Sequence, residues 1–345
     1  MMTQIRKRGE EAMWRSDLAA FPVREVVVLC DRNTAEYCYA DAVAAQLIPE
    51  QHHLLVVEAG EASKSMAVAT NVLQQMQKLG VGKSTGLLIN LGGGMVCDLG
   101  GFCAHIYRRG IRMLNIPTTV LCLADACVGG KNGVDLEHVK NAVGSVHHPE
   151  AVFIDTRWIR TQDPRARRSG IAEIIKHALL QGEELFAQVA TWNENDFYQE
   201  DILLQGLQFK LHCVMQDPLD TGARQILNFG HSIGHALESL AMARGQELWH
   251  GEAVMLGMLL ELALSEQLLQ LPVGYREQYN TLARRLFPGL HLQASLEEIL
   301  PYLQNDKKNQ GGLRMSLLSA PGQCKPGVEV SIEQLETIWH DAINL

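Results

Sequence analysis

Two runs of β-branched residues, REVVVLCD (24–31) and HHLLVVEAG (52–60), enclose the segment TAEYCYADAVAAQL, which reads as a helix. A strand, a helix and a second strand in that order need a crossover, which lays the two strands parallel in one buried sheet. TGLLINLGGG (85–94) repeats the scheme, and RMLNIPTTV (112–120) and AVFIDT (151–156) supply further buried strands. The first half is therefore expected to be α/β with a mainly parallel sheet.

After about residue 157 the β signals fade. SGIAEIIKHALLQGEELFAQVATW (169–192) and GEAVMLGMLLELALSEQLL (251–269) carry helical apolar spacing instead. A chain of 345 residues, 47% of them hydrophobic, is too long for one ordinary core. The expected division is an α/β domain over 1–157 and an α-helical domain over 158–345. With no repeat and no Pro-rich linker, the two are expected to pack directly and leave a ligand-sized cleft.

The formal charge of −9 argues against nucleic acid and against an anionic membrane surface as partners, so an anionic substrate would need a local basic pocket. No apolar run approaches 18 residues, and the start, MMTQIRKRGEEAMWRSD, is charged throughout, which points to the cytoplasm. Eight scattered cysteines without a CxxC pair are expected to be reduced and mostly buried.

Several local patterns carry chemistry. In LLINLGGGMVCDLGGF a strand runs into Gly92, Gly93 and Gly94 and then a helix start, where bare amides can meet a pyrophosphate; the same glycines also suit a plain tight turn. Asp31, at the end of the first strand, can accept ribose hydroxyls, with Asn33 two residues on, or can cap the next helix. Between residues 107 and 141, Arg109, Asp125, Lys131, Lys140 and Asn141 are interleaved with glycines. That mixture suits a phosphate-bearing substrate, or surface ion pairs.

In LNFGHSIGHALE (227–238), His231 and His235 stand four apart and therefore share a helix face, and His250 follows in WHGEAV. Gly230 and Gly234 share that spacing and can equally let two helices pack closely. Glu173 and Lys176, three apart on an otherwise apolar helix, form either an ion pair or, with His231 and His250, a Glu/His/His metal site with an open position.

Taken in order, GGGMVCDLGGF, YRRG, IPTT, GGKNGV, KNAVG, AEIIKHALL, TGARQILNFGHSIGHALE, HGEAV and DKKNQGG resemble the 3-dehydroquinate synthases, within the sugar-phosphate cyclase superfamily. The resemblance covers about residues 24–320. It implies a dehydroquinate synthase-like fold in which Glu173, His231 and His250 hold zinc, or cobalt, while His235 faces the substrate. It implies NAD contacts at Asp31, Asn33, Glu61, Lys64, Gly93, Gly94, Asp98, Thr118, Thr119 and Thr161, with Lys140 near both ligands. Around the substrate it implies Arg109, Asp125, Lys131, Asn141, Lys176, Lys210, Asp220, Arg224, Asn228, His235 and a lysine of DKK, Lys308 in preference to Lys307. Read without the family, Lys210 and Arg224 are equally a solvent-facing pair flanking QDPLDTGA.

The implied reaction converts 3-deoxy-D-arabino-heptulosonate 7-phosphate, a phosphorylated sugar acid, to 3-dehydroquinate and phosphate. It proceeds by transient oxidation with NAD, phosphate elimination, re-reduction and an intramolecular aldol closure, and a homodimer is implied as the assembly. Three positions depart from the family pattern: Cys97 in place of glycine, Asn132 in place of threonine and Asp220 in place of glutamate. The rival readings are another sugar-phosphate cyclase, a glycerol dehydrogenase-like metal-dependent alcohol dehydrogenase, and a catalytically inactive NAD- or metal-binding regulator.

Overall fold

A computed structural model of the chain describes residues 3–137, 139–193, 196, 199–305 and 312–342. They form two compact units, Met1–Asp163 and Pro164–Leu345. The first contains β1 (Gln4–Lys7), α1 (Glu11–Ala19), β2 (Glu25–Asp31), α2 (Arg32–Tyr37), α3 (Tyr39–Ala44), β3 (His53–Val57), α4 (Met66–Lys78), β4 (Gly86–Gly92), α5 (Gly94–Ile106), β5 (Arg112–Pro117), β6 (Lys131–Leu136), β7 (Val139–Val146) and β8 (Ala151–Ile154).

Six strands make one parallel sheet in the order β1-β8-β5-β4-β2-β3. Its strands are apolar because both faces are covered. Alternation along β2 divides the core: Val27 and Leu29 join Ala69, Val72 and Met76 of α4 and Val96 and Leu99 of α5. Val26, Val28 and Cys30 join Trp14 of α1, Cys38, Ala42 of α3 and Trp158 on the other side. From β2 the chain moves outward to β3 and returns to β4 on β2's opposite flank. The strand order therefore reverses between β2 and β4, and the carboxyl ends of those strands flank the crevice where open α/β sheets bind ligands.

Two expectations needed correction in this unit. The single helix expected over TAEYCYADAVAAQL is two short ones, α2 and α3, because Cys38 between them leaves helical geometry (φ −122°), its thiol hydrogen-bonded to Thr161. β1 carried no recognised signal; with four residues it is too short to show a period, and its pairing with β8 is contributed by residues 151–154.

The second unit contains α6 (Pro164–Gln181), α7 (Glu183–Ala190), α8 (Glu200–Gln216), α9 (His231–Ala243), α10 (His250–Leu269), α11 (Val273–Leu286), α12 (Leu296–Asn305), β9 (Leu313–Ala320), β10 (Gln323–Val330) and α13 (Ile332–Ala342). α10 is buried on all sides from Ala253 to Ser265, a stretch that is apolar but for Glu261 and Ser265, and α6, α9, α11, α13 and β9 surround it. The long helix expected from residue 169 to 192 is interrupted at Gly182, whose φ of 148° ends α6 and starts α7. The unit is not wholly helical: β9 and β10 pair antiparallel.

Candidate functional site

Three helices of the second unit bring Glu173, His231 and His250 together, and glycines set how closely those helices cross. A Cβ on Gly251 of α10 would lie 1.8 Å from the Ser169 carbonyl of α6. On Gly257 it would lie 2.0 Å from the Gly230 carbonyl, and on Gly234 of α9 it would lie 3.0 Å from the Ala253 carbonyl. Only bare backbones pass at these distances. The packing reading of the spacing in LNFGHSIGHALE holds: the glycines pack α9 on α10, and that packing carries His231 and His250 to Glu173.

One face of α6 meets the start of α10 at successive turns. Arg165 makes a two-pronged pair with Glu252 (2.7 and 2.8 Å), and Ser169 Oγ accepts the Gly251 N–H at 2.9 Å. One turn further on, Glu173 Oε1 lies 3.6 Å from His250 Nε2, and 3.3 Å from His231 Nε2. Each histidine turns its other nitrogen to a protein acceptor: His231 Nδ1 to the Phe229 carbonyl at 3.2 Å, His250 Nδ1 to Glu238 Oε2 at 3.4 Å. In a neutral imidazole those partners take the Nδ1 proton and leave Nε2, the atom facing Glu173, as the one able to ligate a metal.

Glu173 is fully buried, and neither of its oxygens completes a well-formed hydrogen bond among the described residues, although the Lys176 ammonium adjoins it. Burial opposes its ionisation, yet Lys176 and the two histidines hold the carboxyl well below the usual range. Burial and Lys176 lower His231, whereas for His250 the pull of Glu173 and Glu238 outweighs burial and raises it to about 9. A buried anionic oxygen facing two half-buried imidazole nitrogens fits a divalent cation of the zinc class. His235, exposed, also presents its ring to the group, with centroids 5.2 Å from His231 and 5.7 Å from His250, and its ring nitrogens fall within 4.8 Å of theirs.

Lys210 on α8 and Arg224 are buried, at 6% and 4% exposure, which excludes the solvent-facing alternative for the pair. Burial raises the Cys213 thiol on α8, against a backbone hydrogen bond and the positive charges of Arg224, Lys176 and Lys210. The loop before Arg224 is organised by a residue that sequence reasoning missed: Asp217 accepts the N–H groups of Thr221, Gly222 and Arg224 at 2.7–3.2 Å. Asp220 sits in that turn with φ 57°, and Asn228 ends the short helix after it. Lys307 and Lys308 lie outside the described residues.

In the first unit the expected nucleotide residues gather at the carboxyl ends of β2, β3, β4 and β5. Asp31 closes β2, Gly93 and Gly94 follow β4, Thr118 and Thr119 follow β5, and Glu61 and Lys64 follow β3. A Cβ on Gly93 would meet Thr119 Cγ2 at 2.9 Å. Lys64 pairs with Asp98 at 2.7 Å and Glu61 at 3.4 Å, while burial lifts the Asp98 carboxyl to about 6 against the pull of Lys64. Thr161 adjoins Cys38, close to Asp31, and Asn33 is exposed on α2.

Asp31 does cap α2, accepting the Thr34 N–H at 2.7 Å. Capping leaves its second oxygen to a ribose, and substitution separates the roles. Asp31→Asn, which retains a capping oxygen, is expected to keep the melting temperature but weaken NAD binding about tenfold, roughly 1.5 kcal/mol for a charged hydrogen bond. Equal NAD affinity in a calorimetric titration of this variant would reduce Asp31 to a cap.

Lys131 and Lys140 lie on the paired strands β6 and β7, with Asn141 beside Lys140, and Asp125 in the short helical turn after β5. Arg109 and Asn141 hold φ of 64° and 52°, backbone conformations that side-chain-bearing residues keep where their surroundings impose them. Asn132 donates to the Gly130 and His147 carbonyls at 2.8 and 2.9 Å, two bonds that a threonine hydroxyl could not both make, and so ties the hairpin. Cys97 is core: its sulfur lies 3.4 Å from that of Cys122, all eight cysteines are free thiols and seven are buried.

A family model described as the 3-dehydroquinate synthase N-terminal domain matches residues 54–169, and its C-terminal counterpart matches residues 170–309. A 3-dehydroquinate synthase of Parabacteroides distasonis is 36% identical over 326 residues, covering 92% of this chain and 91% of that protein. Among solved structures, 2-epi-5-epi-valiolone synthase of Streptomyces hygroscopicus, with NAD+ and Zn2+ bound, is 26% identical with a TM-score of 0.83, covering 99% of this chain and 96% of that one. A 2-deoxy-scyllo-inosose synthase complexed with carbaglucose-6-phosphate, NAD+ and Co2+ shares the fold at 22% identity, with the same TM-score and coverage. With both family domains matched end to end and more than a third of residues identical over nine-tenths of its length, this chain belongs to the 3-dehydroquinate synthase family of enzymes.

Proposed function

We propose that the protein converts 3-deoxy-D-arabino-heptulosonate 7-phosphate to 3-dehydroquinate and phosphate, with NAD bound at the ends of β2 to β5 and a divalent metal at Glu173, His231 and His250. The observation that carries this reading is the pair of imidazoles whose Nδ1 atoms are engaged and whose Nε2 atoms face one buried carboxylate. The NAD+ and Co2+ or Zn2+ of the two cyclase structures support both cofactors. Zinc as the particular ion and a homodimer belong to the same proposal and rest on the family resemblance, and a cytoplasmic setting rests on the charged, apolar-poor start of the sequence.

A divalent metal held by Glu173, His231 and His250 would supply Lewis acidity to a substrate hydroxyl, and NAD held at the ends of β2 to β5 would supply reversible hydride chemistry without being consumed. The chain's own residues hold and orient. Lys210 and Arg224, both buried, supply the positive charge that a substrate carboxylate needs once it leaves water, and the guanidinium can engage two oxygens. Asp217 fixes the backbone of Arg224 and so its reach. His235, exposed at the rim of the metal group, is placed to hydrogen-bond a substrate hydroxyl. Arg109, Lys131, Lys140 and Asn141 offer donors to phosphate oxygens, and the family resemblance adds Asp125, Asp220, Asn228 and Lys308. Restricting the substrate to one conformer is their common contribution.

The assay incubates purified protein with the heptulosonate phosphate and catalytic NAD, following phosphate and the NADH absorbance together. Phosphate release without accumulating NADH is expected. Accumulating NADH would indicate an alcohol dehydrogenase, and silence in both channels a regulator. Arg224→Ala should lower kcat/KM by roughly 2 kcal/mol or more and raise KM, the scale of a lost charged hydrogen bond. The wild type should barely turn over sedoheptulose 7-phosphate, which lacks the carboxylate; comparable kcat/KM for the two sugars would assign the chain to a different cyclase.

A further inference from the structure

Within the buried stretch of α10 from Ala253 to Ser265 every side chain is uncharged except one, Glu261, which is fully buried. An apolar residue there would avoid the desolvation of a carboxylate, so its retention calls for a compensating interaction. Glu261 Oε2 accepts the N–H of Gly230 at 2.6 Å, and Oε1 lies 3.5 Å from the N–H of Ile233. Both amides belong to the start of α9, whose first residue is His231. Gly230 takes a left-handed conformation (φ 79°) there. Gly257, one turn before Glu261 on the same face of α10, touches the Gly230 carbonyl, so Glu261 and Gly257 hold opposite ends of a single residue.

The electrostatics give this contact a second consequence. His231 and His250 are the first residues of α9 and α10, so each of these candidate ligands belongs to a helix N-terminus, whose partial positive charge disfavours a dication nearby. That arrangement repels a metal unless each terminus is compensated. At α10 the compensating carboxylate is Glu252, which accepts the Trp249 N–H at 3.0 Å. At α9 it is Glu261.

We propose that Glu261 is a positioning residue for the metal centre: from the helix that carries His250, it fixes and neutralises the start of the helix that carries His231. This inference rests on the metal reading of Glu173, His231 and His250. The two are tested separately. Zn2+ affinity is measured by chelator competition, and the Co2+ ligand-field spectrum recorded, for wild type, Glu261→Gln and Glu261→Leu. Circular dichroism and melting of the metal-free proteins serve as controls.

Glu261→Gln keeps the shape and one acceptor but removes the charge. It should retain the metal-free fold while binding Zn2+ about tenfold more weakly, the usual scale for losing an outer support of a ligand, with an altered Co2+ spectrum. Glu261→Leu should weaken binding further; if it does not fold, Glu261→Gln alone decides. A folded Glu261→Gln with wild-type affinity and spectrum overturns the proposal, even if its melting temperature has dropped. Failure of the wild type to bind Zn2+ or Co2+ overturns the metal reading itself.

Discussion

His250→Ala is expected to lose the metal and to lower kcat/KM by about a thousandfold or more, about 4 kcal/mol of transition-state stabilisation, and chelation of the wild type should match it. The expectation follows from how few donors the site has. Glu173 and His231 remain in the variant, but Glu238 loses the ring that it orients, and two protein ligands are one fewer than catalytic zinc sites keep. Removing His250 also removes one of the groups that hold Glu173 ionised, leaving Lys176 as its main partner. His235→Ala, by contrast, should retain the metal and lose turnover, because its exposed ring lies at the rim of the group. Metal analysis of the two purified variants checks the assignment: if His235→Ala comes out metal-free and His250→Ala does not, the two histidines must exchange roles.

Gly257→Ala is expected to destabilise the second unit by about 3 kcal/mol or more, at the upper end of overpacking costs. The new methyl would stand 2.0 Å from the Gly230 carbonyl oxygen and 2.8 Å from the Gly234 nitrogen. Both are backbone atoms of α9, so no side chain can swing aside and the helices themselves must part. Parting them moves His231 and His250 relative to Glu173, and metal affinity should fall together with stability. Gly274 in α11 supplies the comparison, because a Cβ there meets nothing within 4 Å. Gly274→Ala should stabilise by roughly 0.5 kcal/mol through the unfolded chain's lost freedom. Urea denaturation of both variants is the measurement. A loss below about 1 kcal/mol for Gly257→Ala would mean that the α9–α10 crossing yields easily and does not set the site.

Much of this site is legible along the chain because its signals are local. The i,i+4 spacing of His231 and His235 and of Gly230 and Gly234, the Glu173–Lys176 pair, and the glycines after LLIN each lie within one helical turn or one strand end. Glu238 was readable in principle, seven residues after His231 on the same face of α9, but nothing local says that it serves His250. Asp217 and Arg165 were missed for the same reason: the backbone amides of residues 221–224 and the carboxylate of Glu252 become partners only after folding.

Hydrophobic periodicity determined the α/β character of the first half, the helices of the second, and the order of the strands along the chain, since each depends on which residues recur at 2 or 3.6. The ordered motifs carried the resemblance to the family, and that resemblance implied which of the histidines are ligands. That α2 stops at Cys38, and that the four residues of β1 pair with β8, was decided by contacts between residues far apart in sequence. Tertiary structure likewise decided that Lys210 and Arg224 are buried cations, that Asn132 ties a hairpin, and that a glutamate inside an apolar helix holds the start of another. A side chain's charge and shape are written in the sequence, but what it costs to bury it, and which backbone amide repays that cost, depend on neighbours that only the packed chain supplies.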